Sequence, residues 1–160
     1  MNPDKFEAYD MLVKNLEKGL DDMEQAAESY SQQTNDAPGA MQSRYDSSRE
    51  ELGAVTDALF NRNDEKSRDV EMARAFNLSP STRVGIGSLV NVQKINPPET
   101  NHYFVLPFAG GESIDHEDGD ITVVTPNAPL VGAMADKRKG DFFIFSLRGS
   151  SLVYKILDIS

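Results

Sequence analysis

The chain has 160 residues, with no cysteine and only two histidines, His102 and His116. Without cysteine there is no disulfide framework, no thiolate zinc site and no cysteine nucleophile, and the composition suits a reducing compartment. Long apolar runs are missing too: no stretch approaches the ~18 residues that a membrane-spanning helix needs. The segment Met1-Asn2-Pro3-Asp4-Lys5-Phe6-Glu7 is polar and acidic where a secretory signal is basic and then apolar. A cytoplasmic protein without a membrane partner is therefore expected. Basic charge is scarce, with 16 Lys and Arg against 26 Asp and Glu, a net charge of -10. Residues 1–78 hold 9 basic against 17 acidic side chains, and residues 79–160 hold 7 against 9. The acidic first half repels phosphate backbones and favours a basic protein surface, so no direct sequence-specific nucleic-acid binding is expected.

Catalytic leads are equally sparse. His116 sits in the acidic run Asp115-His116-Glu117-Asp118, where nothing fixes a coordination geometry, so no metal site is expected. Gly85-Ile86-Gly87 lacks the rest of a dinucleotide fingerprint and precedes a strand instead of a helix. The chain is expected to carry no cofactor of its own and no catalytic residue.

What the first half does contain is a seam. Phe6, Tyr9, Val13, Leu16, Leu20, Met23, Ala27 and Tyr30 follow one another at alternating intervals of three and four, the spacing of a coiled-coil helix. The spacing predicts a helix from about Pro3 to about Gln33, started by Asp4 and Glu7 and weakened only at Gly19. Asp36-Ala37-Pro38-Gly39 breaks it, and a second helix from about Ala40 to Phe76 continues with Met41, Tyr45, Ser48, Leu52, Val55 and Leu59. The polar stretch Asn61–Lys66 predicts a local irregularity before apolar spacing returns at Val70, Ala73 and Phe76. Folded back antiparallel, the two helices form a hairpin over residues 1–78, with its tip at about 34–41. Each arm is roughly 45 Å long at ~1.5 Å per residue, suited to a spacer or a probe.

After a linker at 79–83 the period changes from about 3.5 to 2. Strands are predicted at Ser88–Ile95, His102–Pro107, Asp120–Thr125, Asp141–Leu147 and Leu152–Ile159, separated by Pro- and Gly-containing turns. Pro129–Ala135 suits one or two helical turns. The fold class expected is α+β: an antiparallel helical coiled-coil hairpin, then a small antiparallel β-sheet domain over 84–160 with one short helix.

The segment Ala128-Pro129-Leu130-Val131-Gly132-Ala133-Met134-Ala135-Asp136-Lys137-Arg138-Lys139-Gly140-Asp141 resembles the C-terminal signature of the GreA/GreB transcription elongation factors, approximately S-P-L-G-K-A-L-L-G-K-K-V-G-D. The resemblance extends to Ile121–Pro126, to Val84–Val90 as a V-x-x-G-S-x-V strand, and to Phe142–Phe145, Gly149 and Tyr154–Leu157. Arg148 stands where the family usually has Pro. Arg44-Tyr45-Asp46-Ser47-Ser48-Arg49 is similar to a K-Y-E-T-G-R element of shorter GreA/GreB-like proteins.

The resemblance implies an FK506-binding-protein-like (FKBP-like) second domain docking on bacterial RNA polymerase at the rim of its secondary channel, with the coiled coil reaching toward the active centre. It implies no prolyl-isomerase activity, since fold does not carry activity. Asn127, Ala128, Pro129 and Leu130 are the rim-binding loop by this resemblance, and Asp36, Arg44, Asp46 and Arg49 the residues near the active centre. Purely structural roles stand beside these: turn formation or helix capping for Asp36, ion pairing for Arg44, Asp46 and Arg49, a strand-to-helix connection for 127–130, and a solvated turn for Lys137-Arg138-Lys139.

Cleavage-stimulating members carry two acids at the tip, because two-metal catalysis needs carboxylate oxygens to hold the second cation. Counting back from Tyr45, G-D-L-S-E-N-A-E-Y is replaced by Ala37-Pro38-Gly39-Ala40-Met41-Gln42-Ser43-Arg44-Tyr45, so Pro38 and Met41 occupy the acidic places. The expectation is a monomeric factor that modulates elongation or initiation without stimulating transcript cleavage. A cleavage factor relying on Asp36, and a protein-interaction module unrelated to transcription, are the alternatives.

Overall fold

The computed structural model describes residues 2–35 and 42–160, except for the side chains of residues 30, 31, 33–35, 42–53, 55, 56, 59 and 60. Two long helices come first, α1 (Lys5–Asn35) and α2 (Gln42–Ala75). Asp4 caps α1, its Oδ1 accepting from the backbone N–H groups of Phe6 and Glu7 at 2.9 Å each. The helix α2 runs unbroken through 61–66, where an irregularity was expected. Arg62, Glu65 and Lys66 are good helix formers that offset Asn61, Asn63 and Asp64, and Asn63 and Lys66 are half-buried.

The chain forms two compact units, Val13–Arg74 and a second made of Met1–Leu12 with Ala75–Ser160. In the first, α1 and α2 pair antiparallel: Arg74 donates from Nε and Nη2 to Glu17 Oε1 at 3.0 and 2.8 Å. Two residues further along α1, a Cβ on Gly19 would lie 3.9 Å from Lys66 Nζ, eight residues back along α2. Leu16 and Ala27 of the expected seam are buried together with Val70 and Ala73 of α2. Val13, Leu20 and Met23 are half-buried. Met41 and the side chains of Tyr30, Tyr45, Ser48, Leu52, Val55 and Leu59 lie outside the described residues.

Phe6 departs from the seam, being 53% exposed. The first turns of α1 bury Lys5, Ala8, Tyr9 and Leu12 instead, the wide stripe of a helix lying on a globular core. Tyr9 meets Phe104 edge to face at 6.0 Å and Phe76 at 6.2 Å, and Phe76 meets Phe108 at 5.7 Å. Burial pushes the Tyr9 hydroxyl up to about 12.

The sheet has the strands β1 (Leu89–Lys94), β2 (Glu99–Val105), β3 (Ser113–Ile114), β4 (Ile121–Val124), β5 (Phe142–Leu147) and β6 (Ser150–Ile159). Their order is β3-β4-β2-β1-β6-β5. The α+β class and the five expected strands are present, together with the two-residue β3, too short to show a period. The sheet is mixed, because β2 and β4 pair in parallel, His102 opposite Ile121 and Phe104 opposite Val123. The long connection between them supplies the crossover that parallel pairing requires. Helix α3 (Pro129–Met134) buries Val131 and Met134 against Val90, Val92, Val105, Phe143, Tyr154 and Ile156. Phe143 and Tyr154 stack at 5.2 Å and 11°.

Candidate functional site

The segment Ala128–Asp141 folds as a helix start, a turn and a strand entry. Ala128 is extended (φ -64°, ψ 136°) at the cap of α3, and Pro129 fills the first turn, where its missing N–H costs nothing. The Ala128 N–H donates to Thr125 O at 3.0 Å, and the Gly132 N–H to Ala128 O at 3.1 Å. Asn127 and Pro129 are thereby left exposed, while Ala128 and Leu130 pack partly against the core. Of the four loop residues named from the sequence, these two face outward.

The turn after α3 explains two of the signature's three glycines, the first falling on Val131 inside α3. Asp136 stands at the second place with φ 59°, and Gly140 at the third with φ 91°. Left-handed backbone is easiest for Gly, and Asp is among the few side chains that tolerate it. Val84 clamps this turn: its N–H donates to Lys137 O at 2.9 Å and its carbonyl accepts from the Asp136 N–H at 3.1 Å. Asp141 closes the next turn, its Oδ2 accepting from the Arg138 N–H at 2.8 Å. Arg148 has φ 51°, which a proline ring forbids, so the β5–β6 turn is built differently from one with Pro at that place.

The basic cluster is only partly a solvated turn. Lys139 Nζ donates to Asp158 Oδ1 at 2.7 Å, and this contact holds the Asp158 carboxyl below the usual range. Lys137 is half-buried and Arg138 exposed.

At the hairpin end, Asp36, Pro38 and Met41 lie outside the described residues. Arg44, Asp46 and Arg49 fall within α2, with side chains also outside the description.

Sequence reasoning missed the tie between the first turn of α1 and the loop after β3. The His116 side chain, read as part of a loose acidic loop, is only 7% exposed, with Nε2 4.0 Å from Glu7 Oε2 and Nδ1 3.9 Å from Asp118 Oδ2. Nδ1 accepts from the Asp118 N–H at 3.1 Å. His102 on β2 is buried, and its Nδ1 has no hydrogen-bond partner among the described residues. Burial pushes the His102 imidazole down, opposed by the backbone and carboxylate of Asp118. No group of three or more metal-binding side chains forms among the described residues. Among them, no helix is long and apolar enough to cross a membrane.

No protein-family model and no curated protein matches the sequence. Among solved structures, the chain is similar to the transcription factor Gfh1 (TM-score 0.41, 14% identity, covering 92% of each chain). It is also similar to GreA factor homolog 1 (Gfh1) of Thermus thermophilus, with TM-score 0.37 and 11% identity over 92% of this chain and 94% of that one. A third likeness is to the prokaryotic transcription elongation factor GreA/GreB of Nitrosomonas europaea, with TM-score 0.37 and 15% identity over 59% of this chain and 78% of the other. Likenesses at this level establish neither family nor activity.

Proposed function

We propose that the chain is a GreA/GreB-like transcription factor of the cytoplasm. It docks its sheet unit on bacterial RNA polymerase at the secondary channel, and modulates elongation or initiation through the helical hairpin. The observation that carries this reading is the segment Ala128–Asp141, which resembles the family signature without a gap and which has left-handed backbone at Asp136 and Gly140, two of the signature's three glycine places. The exposed Asn127 and Pro129 are the rim-facing residues, and Arg44, Asp46 and Arg49 lie on the arm that enters the channel. The factor works as a monomer, without catalytic residue, metal or cofactor of its own.

Pro38 and Met41 have no carboxylate with which to hold a second metal ion, so transcript cleavage is not stimulated. The test is a backtracked elongation complex incubated with the protein, alongside a competition binding assay on core polymerase. Binding without cleavage supports the proposal. Cleavage that disappears in Asp36→Ala would replace it with the Asp36-dependent reading, and absence of binding would leave an interaction module outside transcription.

A further inference from the structure

Strand β5 ends the sheet, so among the described residues its outer edge is unpaired. Its six residues, Phe-Phe-Ile-Phe-Ser-Leu, contain no charge, proline or glycine, the devices that normally blunt an open edge. Side chains alternate across the sheet. Phe143 faces the core, while Phe142 and Ile144 face solvent at 55% and 63% exposure. Val153 lies opposite Ile144 and is also exposed, and the Ile95 N–H donates to Val153 O at 3.0 Å, bringing a fourth exposed apolar side chain alongside. The apolar strip thus runs from the open edge of β5 across β6 to the residue that follows β1.

Charge says what fits it. Residues 136–158 carry five basic and three acidic side chains, in a chain of net charge -10, and Lys139 is paired with Asp158. Asp141 is engaged by the Arg138 N–H. The cations stand off the two ends of β5. Lys155 lies opposite Phe142 with Nζ 5.6 Å from its ring, and Arg148 follows Leu147 in the turn. About six residues at ~3.4 Å each separate them by roughly 20 Å.

We infer that the β5 edge receives an extended segment of a partner protein, apolar at alternate central positions and acidic at both ends, which adds a strand to the sheet. Backbone groups of β5 supply the pairing, Phe142, Ile144 and Val153 the apolar contact, and Lys155 and Arg148 the end contacts. A second copy fits less well on charge: antiparallel pairing of β5 with itself would set Arg148 of one copy beside both the Lys155 and the Asp141 of the other, so that repulsion and attraction offset each other. Nucleic acid fits less well too, because the strip offers one exposed aromatic ring and three aliphatic side chains.

The test uses the full chain and a fluorescent peptide of about ten residues, Val alternating with Ser at its centre and two Glu at each end. Polarisation should show saturable binding, with hydrogen exchange slowed at β5. Ile144→Glu should weaken binding at least about tenfold. The double variant Arg148→Glu/Lys155→Glu should lose the Glu-ended peptide and gain a Lys-ended one. All three side chains lie at the surface, and circular dichroism verifies that each variant is folded. No binding by the wild type, equal binding by the variants, a β5-dependent dimer, or tighter binding of a labelled thymidine oligonucleotide would each overturn the inference.

Discussion

The two compact units are stabilised differently. The unit built on the sheet packs Phe104, Leu106, Ile114, Ile121, Met134 and Ile156 out of contact with water, and adds an aromatic chain from Tyr9 through Phe76 to Phe108. In the Val13–Arg74 unit the buried apolar side chains among the described residues are Leu16, Ala27, Val70 and Ala73, two of them alanines. Among the described residues, the exposed Arg74–Glu17 ion pair adds to this smaller apolar set.

Phe104→Ala should show the largest effect, about 3–5 kcal/mol of lost stability in chemical denaturation, since the ring is fully buried and touches Tyr9. An effect confined to helix content would break the comparison. Leu16→Ala should cost about 2–3 kcal/mol and lower the helical signal at 222 nm, while the near-ultraviolet signals of the sheet unit persist. Simultaneous loss of both signals would mean that the units unfold as one.

A smaller effect is expected from pH. His102 is buried with its affinity for a proton lowered below the ordinary 6.5. Its contribution is complete above that unfolded value and lost as the pH falls through it toward the lower folded one. Thermal melts should show the midpoint falling between about pH 7 and 5, and His102→Gln should flatten that fall. Least affected should be Arg74→Ala, which removes an ion pair with 64% and 40% exposed partners and should cost under about 1 kcal/mol in the same melts, less still at high salt.

The helices, five strands and α3 were legible because their periods differ and Pro and Gly punctuate them. The role of Phe6 was not. The three-four spacing passes through it, but α1 changes what it packs on near Leu12, and spacing alone does not say which surface a helix meets. Buried Lys5 escaped notice for the same reason: its stem lies along the core while Nζ reaches the Ser79 carbonyl at 2.5 Å. The parallel β2–β4 pair and the burial of His116 depend on contacts distant in sequence, which no local pattern encodes. In the segment Ala128–Asp141 the family resemblance drew attention to the pattern, and the backbone supplies a physical reason for two of its residues, Asp136 and Gly140.

The decisive measurement is the binding of the full chain to bacterial core RNA polymerase, in competition with an authentic cleavage factor, for the wild type and for Asn127→Glu/Pro129→Glu. The wild type should be captured and displaced in proportion to the competitor, and the doubly substituted loop should bind at least about tenfold more weakly. Failure of the wild type to bind at micromolar concentration, or binding that the competitor leaves intact, would contradict docking at the secondary channel.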